Sequence, residues 1–176
     1  MWGISNNYPQ KMFGRYDEAT SPYYLDFYKG KLLDDCITVK VTFGVLRSRL
    51  NDYDVLYHDK VSIPMVSSRI AAVLRRMVGD KVQLIKTTVE CVDGNAEGFW
   101  SLNIVGISDI TDLGHTDYVC LPGTNKPVVF HDTSVRSGSL DGLEIGRDRN
   151  FPPSIFVTSS LAAELKKNSG NMLRFD

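Results

Sequence analysis

The chain has 176 residues, of which 43% are hydrophobic, and its formal net charge is −1. This length fits one domain with an adequate core, while a net charge near zero offers no broad basic field for nucleic acid or an anionic membrane. No segment approaches the ~20 apolar residues that cross a bilayer, and the N-terminus lacks a signal-peptide pattern. We therefore expect a cytoplasmic protein that contacts neither nucleic acid nor membrane directly.

The first fifty residues are rich in aromatic side chains but show little periodicity. Seven tyrosines and phenylalanines fall within positions 1–35 without a sustained spacing. From Ile37 to Phe43 apolar and polar residues alternate, which predicts a half-buried strand. We interpret residues 1–50 as an aromatic-rich section that packs on or extends the main domain, which spans residues 51–176.

Two short helices are predicted, each with a hydroxyl residue at its start. Ser67 or Ser68 can accept hydrogen bonds from free amides at the first helix start, and apolar residues then recur at helical spacing to Met77. Gly79 provides a left-handed stop. The second helix is predicted from about Leu161 to Lys167, followed by Gly170 and a last strand from Met172 to Phe175.

Strands are predicted between and after these helices. Residues 81–91 and 99–107 form a hairpin around the turn Asp93-Gly94-Asn95. Val128–His131 is another short strand, while the glycine-containing segment Ser137–Arg149 is typical of a loop. Together these elements predict an α+β fold with a mixed, mostly antiparallel sheet of about five to seven strands and two short helices on one face.

The two helical segments echo each other at an offset of 91 residues. Val66–Arg76 lies over Val157–Lys167 without a gap, with hydroxyl residues, small apolar residues and a basic last turn in both. Shared helix chemistry explains such a match. An internal duplication, in which each strand feeds an equivalent helix onto one sheet, explains it as well.

A stretch without basic residues lies in the middle of the chain. No lysine or arginine occurs between Lys86 and Lys126, yet this window holds six acidic residues: Glu90, Asp93, Glu97, Asp109, Asp112 and Asp117. These carboxylates either form a solvated face or an acidic docking surface for a basic partner such as a nuclease. In the second case, Trp100 and Tyr118 are candidate aromatic anchors of the interface.

No motif predicts catalysis, a cofactor or a bound metal. The three histidines lack ligand spacing, and the cysteines are odd in number and lie in apolar segments, so we expect buried free thiols. One alternative is an enzyme with a site assembled from residues 137–148 and His131.

Several segments resemble, in order, a bacterial immunity family called immunity family eleven. The similar segments are Ile63–Ile70, Phe99–Ile104, Ser108–Asp112, Ile155–Leu161 and Gly170–Phe175, which together cover roughly residues 52–175. The segment Thr158-Ser159-Ser160 departs from the family pattern because it lacks an early glutamate, and residues 1–50 are not covered.

This resemblance implies a cytoplasmic protein of a polymorphic toxin system that binds and neutralises a cognate toxin domain. The toxin itself is not identified by the resemblance. An adaptor or loading chaperone for a secreted effector is an alternative binding function.

Overall fold

The computed structural model describes residues 1–125, 127–140, 142–169 and 173–175, and most of their regular structure is strand. The fourteen strands are β1 (Trp2–Ile4), β2 (Phe13–Tyr16), β3 (Val39–Thr42), β4 (Val55–His58), β5 (Met65–Ser67), β6 (Val82–Cys91), β7 (Gly94–Ala96), β8 (Phe99–Ile104), β9 (Ile107–Ser108), β10 (Asp117–Cys120), β11 (Pro127–Asp132), β12 (Ile145–Asp148), β13 (Ile155–Val157) and β14 (Leu173–Phe175). The two α-helices are α1 (Ser68–Met77) and α2 (Ser159–Ser169). No helix of this described part is long and apolar enough to cross a membrane.

Six strands close into a barrel-like sheet. Their order is β3-β2-β4-β5-β8-β6, and β6 pairs with β3 to complete the ring, while β7 extends the far end of β6. The β2–β4 and β3–β6 pairings are parallel and the others in this sheet are antiparallel. This arrangement confirms the predicted α+β class with a mixed, mostly antiparallel sheet. Two barrel strands, β2 and β3, come from residues 1–50.

Helix α1 begins where the serine cap predicts. The Ser67 hydroxyl accepts a hydrogen bond from the Ile70 amide at 3.4 Å, and Gly79 follows the helix with a φ of 62°. The apolar stripe from Ile70 to Leu74 is buried against the barrel. Helix α2 packs beside α1, and an ion pair of 2.6 Å joins Arg76 to Glu164. The predicted stop residue of α2, Gly170, and the start of the predicted last strand, Met172, lie outside the described residues.

The hairpin–helix units that end in α1 and α2 are structurally equivalent. In the first unit, β4 and β5 pair with Val55 opposite Val66, and in the second, β12 and β13 pair with Ile145 opposite Val157. The Ser67 amide donates to the Asp54 carbonyl, just as the Thr158 amide donates to the Glu144 carbonyl. Equal registers and an equivalent backbone hydrogen bond favour an internal duplication over shared helix chemistry alone.

The equivalence extends to the flanking strands. β4 runs parallel to β2 with His58 beside Gly14, and β12 runs parallel to β9 with Asp148 beside Ser108. However, β12 and β13 belong to a separate three-stranded sheet with β9, so the expectation that both helices are fed from one sheet is wrong.

Arg147 links the two equivalent hairpins through their loops. Its side chain is completely buried on β12, and it donates to the Ser62 carbonyl and the Pro152 carbonyl, each at 2.7 Å. Its guanidinium also lies 5.0 Å from the ring centre of Tyr28. Burial lowers the pKa of Arg147 to about 10, so the side chain remains charged at neutral pH.

Two further predictions from the sequence are wrong. The segment expected to be a loop, Ser137–Arg149, contains β12, in which Arg147 and Asp148 are buried and hide the apolar pattern of a strand. The cysteines are free but are not buried, because Cys36 is exposed and the other two are partly exposed.

Candidate partner-binding surface

Three of the six carboxylates of the predicted acidic window pair with basic residues from other parts of the chain. Glu90 pairs with Lys40 at 2.9 Å, and the Asp93 carboxylate accepts from the Arg47 amide at 2.8 Å and the Arg47 guanidinium at 3.3 Å. The hydrogen bond from the Arg47 amide, together with the guanidinium, lowers the pKa of Asp93. These carboxylates therefore stabilise contacts between β6 and neighbouring segments rather than presenting free negative charge.

Three further carboxylates of the window differ in their partners. Asp109 pairs with Arg149 at 3.0 Å. Asp112 accepts from a His115 ring nitrogen at 2.8 Å, and this hydrogen bond lowers the pKa of the Asp112 carboxyl. Asp117 is exposed and has no ion pair within the described residues. Of these three carboxylates, Asp117 alone has neither an ion pair nor a histidine partner within the described residues.

Trp100 and Glu97 lie near the two ends of α1. They are not part of the β10–β11 hairpin that holds Asp117. The Trp100 ring packs partly buried against the core, with the Arg75 guanidinium 5.4 Å from its centre. Glu97 is exposed and lines a shallow cavity that Arg69 also lines. The predicted residues thus fall into one group around the barrel and another around β10.

The β10–β11 hairpin exposes an apolar face that the sequence prediction did not include. Val119 and Val129 lie directly opposite each other and are 49% and 47% exposed. Leu121 and Val128 are also exposed large apolar residues of this hairpin. Exposed apolar residues are unremarkable singly, but a contiguous group marks an interaction surface.

The opposite face of this hairpin holds aromatic residues against the rest of the protein. Tyr118 lies opposite Phe130, with ring centres 5.9 Å apart, and Phe130 contacts Phe151 at 4.8 Å. Tyr118 is partly buried, so it anchors the hairpin to the protein. One face of the hairpin is therefore fixed in place, which leaves the valine face presented to solvent.

Acidic residues lie at the base of the valine face. Asp117 and Asp132 are directly opposite each other and both are exposed. Like charges at opposite positions of antiparallel strands are destabilising. In the part of the chain that the structure describes, no lysine or arginine pairs with either carboxylate. A cationic group on a partner would relieve this repulsion.

The loops at the hairpin base are ordered by hydrogen bonds. The Ser134 amide donates to the Thr116 hydroxyl at 3.1 Å, and the Ser134 hydroxyl donates to the His115 carbonyl at 2.8 Å. The Asp112 amide donates to the Ser134 carbonyl at 2.8 Å. These contacts bring the two ends of the hairpin together independently of its tip.

The segment of the first half that is equivalent to this hairpin packs differently. In the first half, the segment between β2 and β3 turns inward, and its Phe27 is completely buried in the core. In the second half, Thr111 and Val135 make an isolated antiparallel bridge, and the segment between them forms the β10–β11 hairpin. The valine face is thus not part of the core that the equivalent segment helps to form. The apolar signal in Tyr118-Val119-Cys120-Leu121 was available in the sequence, since both faces of such a strand are apolar.

One carboxylate of the alternative enzyme site, that of Asp148, is held by hydrogen bonds within the protein. Asp148 is completely buried, where its carboxylate accepts from the Thr111 hydroxyl and from the Ile110 and Asn150 amides. His131 is exposed on β11, and Asp141 lies outside the described residues. Among the residues that are described, no group of three or more histidine, cysteine or acidic side chains could hold a metal.

No protein-family model matches the chain, and no curated protein matches it either.

Proposed function

We propose that this chain is an immunity protein that binds and neutralises a cognate bacterial toxin domain, and that the β10–β11 hairpin is the centre of its binding surface. The observation that carries the proposal is the exposed Val119–Val129 pair beside the opposed carboxylates of Asp117 and Asp132. The resemblance of five ordered segments to immunity family eleven supports the toxin as the kind of partner.

The chemistry of the surface favours a basic partner such as a nuclease domain. The valines lose contact with water on binding, which is the main favourable contribution at the centre of an interface. A partner lysine or arginine between Asp117 and Asp132 gains two opposite charges and removes their mutual repulsion. A nuclease site that binds phosphate offers such cations, so the hairpin would occlude the active site. A stable complex of this kind buries at least about 1,200 Å² in total.

Coexpression tests the proposal. The product of the neighbouring open reading frame is expressed with this protein in a bacterial host, and growth is compared with that of cells lacking this protein. We expect growth to be restored by the unchanged chain. A toxic neighbour that this chain binds but does not neutralise would instead establish the adaptor function and overturn immunity.

Substitutions locate the surface in the same assay. Val119→Thr together with Val129→Thr keeps side-chain shape and strand propensity but places two hydroxyl groups in the interface, which costs about 1–3 kcal/mol for each unpaired group. The matched control is Val61→Thr with Val92→Thr, since both residues are exposed valines outside the hairpin. Protection should fail only in the hairpin variant. Equal protection by both double variants would place the surface elsewhere.

A further inference from the structure

A polar cleft of about 660 Å³ lies on the outside of the barrel, beside β2 and β3. It is lined by the charged residues Arg15, Asp17, Glu18, Lys40 and Asp59, together with Tyr16, Ala19 and Thr42. None of them belongs to the hairpin surface. Its volume is that of a small-molecule site, but such a charged lining fits a small polar ligand rather than an apolar one.

The cleft can be compared with the structurally equivalent place in the second half of the chain. Arg15 and Asp59 occupy the places of Asp109 and Arg149, since the Asp59 amide donates to the Gly14 carbonyl at 3.0 Å and the Arg149 amide donates to the Ser108 carbonyl at 2.8 Å. The charges are therefore exchanged between the halves. In the second half the two side chains form an ion pair of 3.0 Å.

In the first half this ion pair is not made. The Asp59 carboxylate accepts from the Tyr16 amide at 2.8 Å and lies 3.7 Å from the Lys60 ammonium. Lys60 in turn pairs with Glu18 at 2.6 Å. These contacts hold Asp59 in place by other partners, so that Arg15 and Asp59 border an open cleft instead of closing on each other.

Arg15 is the cation of this cleft that lacks a partner. Lys40 pairs with Glu90, whereas the exposed Arg15 side chain makes no ion pair, hydrogen bond or ring contact within the described residues. A guanidinium is always charged in proteins, and its planar fork binds a carboxylate through two parallel hydrogen bonds. Arg15 is thus available to a ligand carboxylate.

The acidic residues exclude a simple anion. Asp17 accepts from the Ala19 amide at 3.0 Å, and a hydrogen bond from Thr20 is the main cause of its lowered pKa, so it is ionised at neutral pH. Together with Glu18 and Asp59 it would repel sulfate or phosphate brought to Arg15. A ligand that carries a cation next to its carboxylate satisfies both sides of the cleft.

We propose that this cleft binds a small zwitterion of the α-amino acid class, with its carboxylate on Arg15 and its ammonium group facing Asp17 and Asp59. The free Arg15 guanidinium, the acidic residues that line the same cleft and the closed ion pair at the equivalent place in the second half together support this assignment. The site is independent of toxin binding, so either proposal stands if the other fails.

Backbone amide chemical shifts of the ¹⁵N-labelled full chain, titrated with glycine, test this proposal. We expect saturating shifts at Arg15, Asp17 and Ala19, and shifts at least about tenfold weaker at equal concentration with acetate or methylamine, each of which carries one of the two charges. Absence of saturating shifts with glycine overturns the site, as does an equal response to acetate.

Variants separate binding in the cleft from a general effect of salt or charge. Arg15→Gln should abolish the glycine response, and Arg15→Lys should weaken it, because an ammonium lacks the two-pronged geometry. The matched control is Arg49→Gln, since Arg49 is another exposed arginine without an ion pair in the described chain. A glycine response that survives in Arg15→Gln contradicts the proposal.

Discussion

Asp117 and Asp132 occupy opposite positions on β10 and β11, and both carboxylates are exposed. Replacing Asp132 by Asn removes the repulsion, so we expect the free energy of unfolding to rise by roughly 0.2–1 kcal/mol. Urea unfolding at neutral pH measures this change. The same variant should associate more slowly with a basic partner, and its association rate should depend less on salt.

The control for this variant is Asp109→Asn, which removes a carboxylate that is paired with Arg149. It should not stabilise the protein, and its effect on association should be smaller. Stabilisation by both substitutions would mean that overall negative charge, rather than the opposed pair, is responsible.

Replacement of the hairpin should leave the fold intact. Thr116 and Ser134 are joined by hydrogen bonds at the base of the hairpin. Residues 117–133 can therefore be exchanged for an Asn-Gly turn without separating the flanking segments. Because the valine face is exposed, we expect the dispersed amide spectrum of the remainder to be preserved. Removal of Phe130 uncovers the Phe151 ring that it contacts, which confines the expected spectral differences to the neighbours of Phe151. Global loss of dispersion would show that the hairpin is needed for the core.

His58 makes stability depend on pH. Its ring is completely buried, and desolvation lowers the pKa from 6.5 to about 4, so the imidazole is neutral at pH 7. His58 binds a proton more readily in the unfolded chain than in the folded one. Its contribution to stability is therefore fully present above pH 6.5 and is lost as pH falls toward about 4. The loss attributable to this residue is on the order of 3 kcal/mol.

Unfolding free energies measured across that pH range test this role of His58. His58→Asn removes the titrating ring but keeps an oxygen that can accept from the Lys60 amide, as the ring nitrogen does at 3.1 Å. We expect a flatter pH profile in this variant, whatever its stability at pH 7. An equally steep profile in His58→Asn would assign the dependence to other groups.

Arg147 should tolerate an apolar residue better than lysine. The lysine of Arg147→Lys keeps a buried charge but cannot reach both the Ser62 and Pro152 carbonyls. We therefore expect the free energy of unfolding to fall by about 3 kcal/mol. Arg147→Met also loses both hydrogen bonds but avoids the desolvation of a cation, and its cost should be smaller. The exposed Arg149→Lys change should cost less than about 0.5 kcal/mol. Denaturant unfolding of the three variants gives the order, and a less stable methionine variant would contradict it.

Local patterns in the sequence predicted much of the secondary structure. The cap at Ser67, the glycine at position 79 and the alternation around Trp100 depend on neighbouring residues, and α1 and the β6–β8 hairpin follow from them. In contrast, β4 is buried throughout, so it has no alternation to detect. Closure of the barrel depends on the parallel pairing of β3 with β6, which no local pattern encodes.

The candidate site was predictable only in part. Asp117 and Tyr118 were candidates from the sequence, although no strand was predicted there, and the pairing of Glu90 and Asp109 requires Lys40 and Arg149, which are distant in sequence. Charge counted along the chain therefore overestimated the acidic surface. The exposure of Val119 depends on which face of the hairpin packs on the protein, and that is settled by tertiary contacts.

The equilibrium dissociation constant between the purified chain and its purified cognate toxin domain tests the central claim most directly. We predict nanomolar or tighter binding by the unchanged protein, and a loss of at least about a thousandfold when residues 117–133 are replaced by the Asn-Gly turn in a variant that remains folded. Absence of binding by the unchanged chain, or unchanged affinity after the hairpin is replaced, would contradict the account.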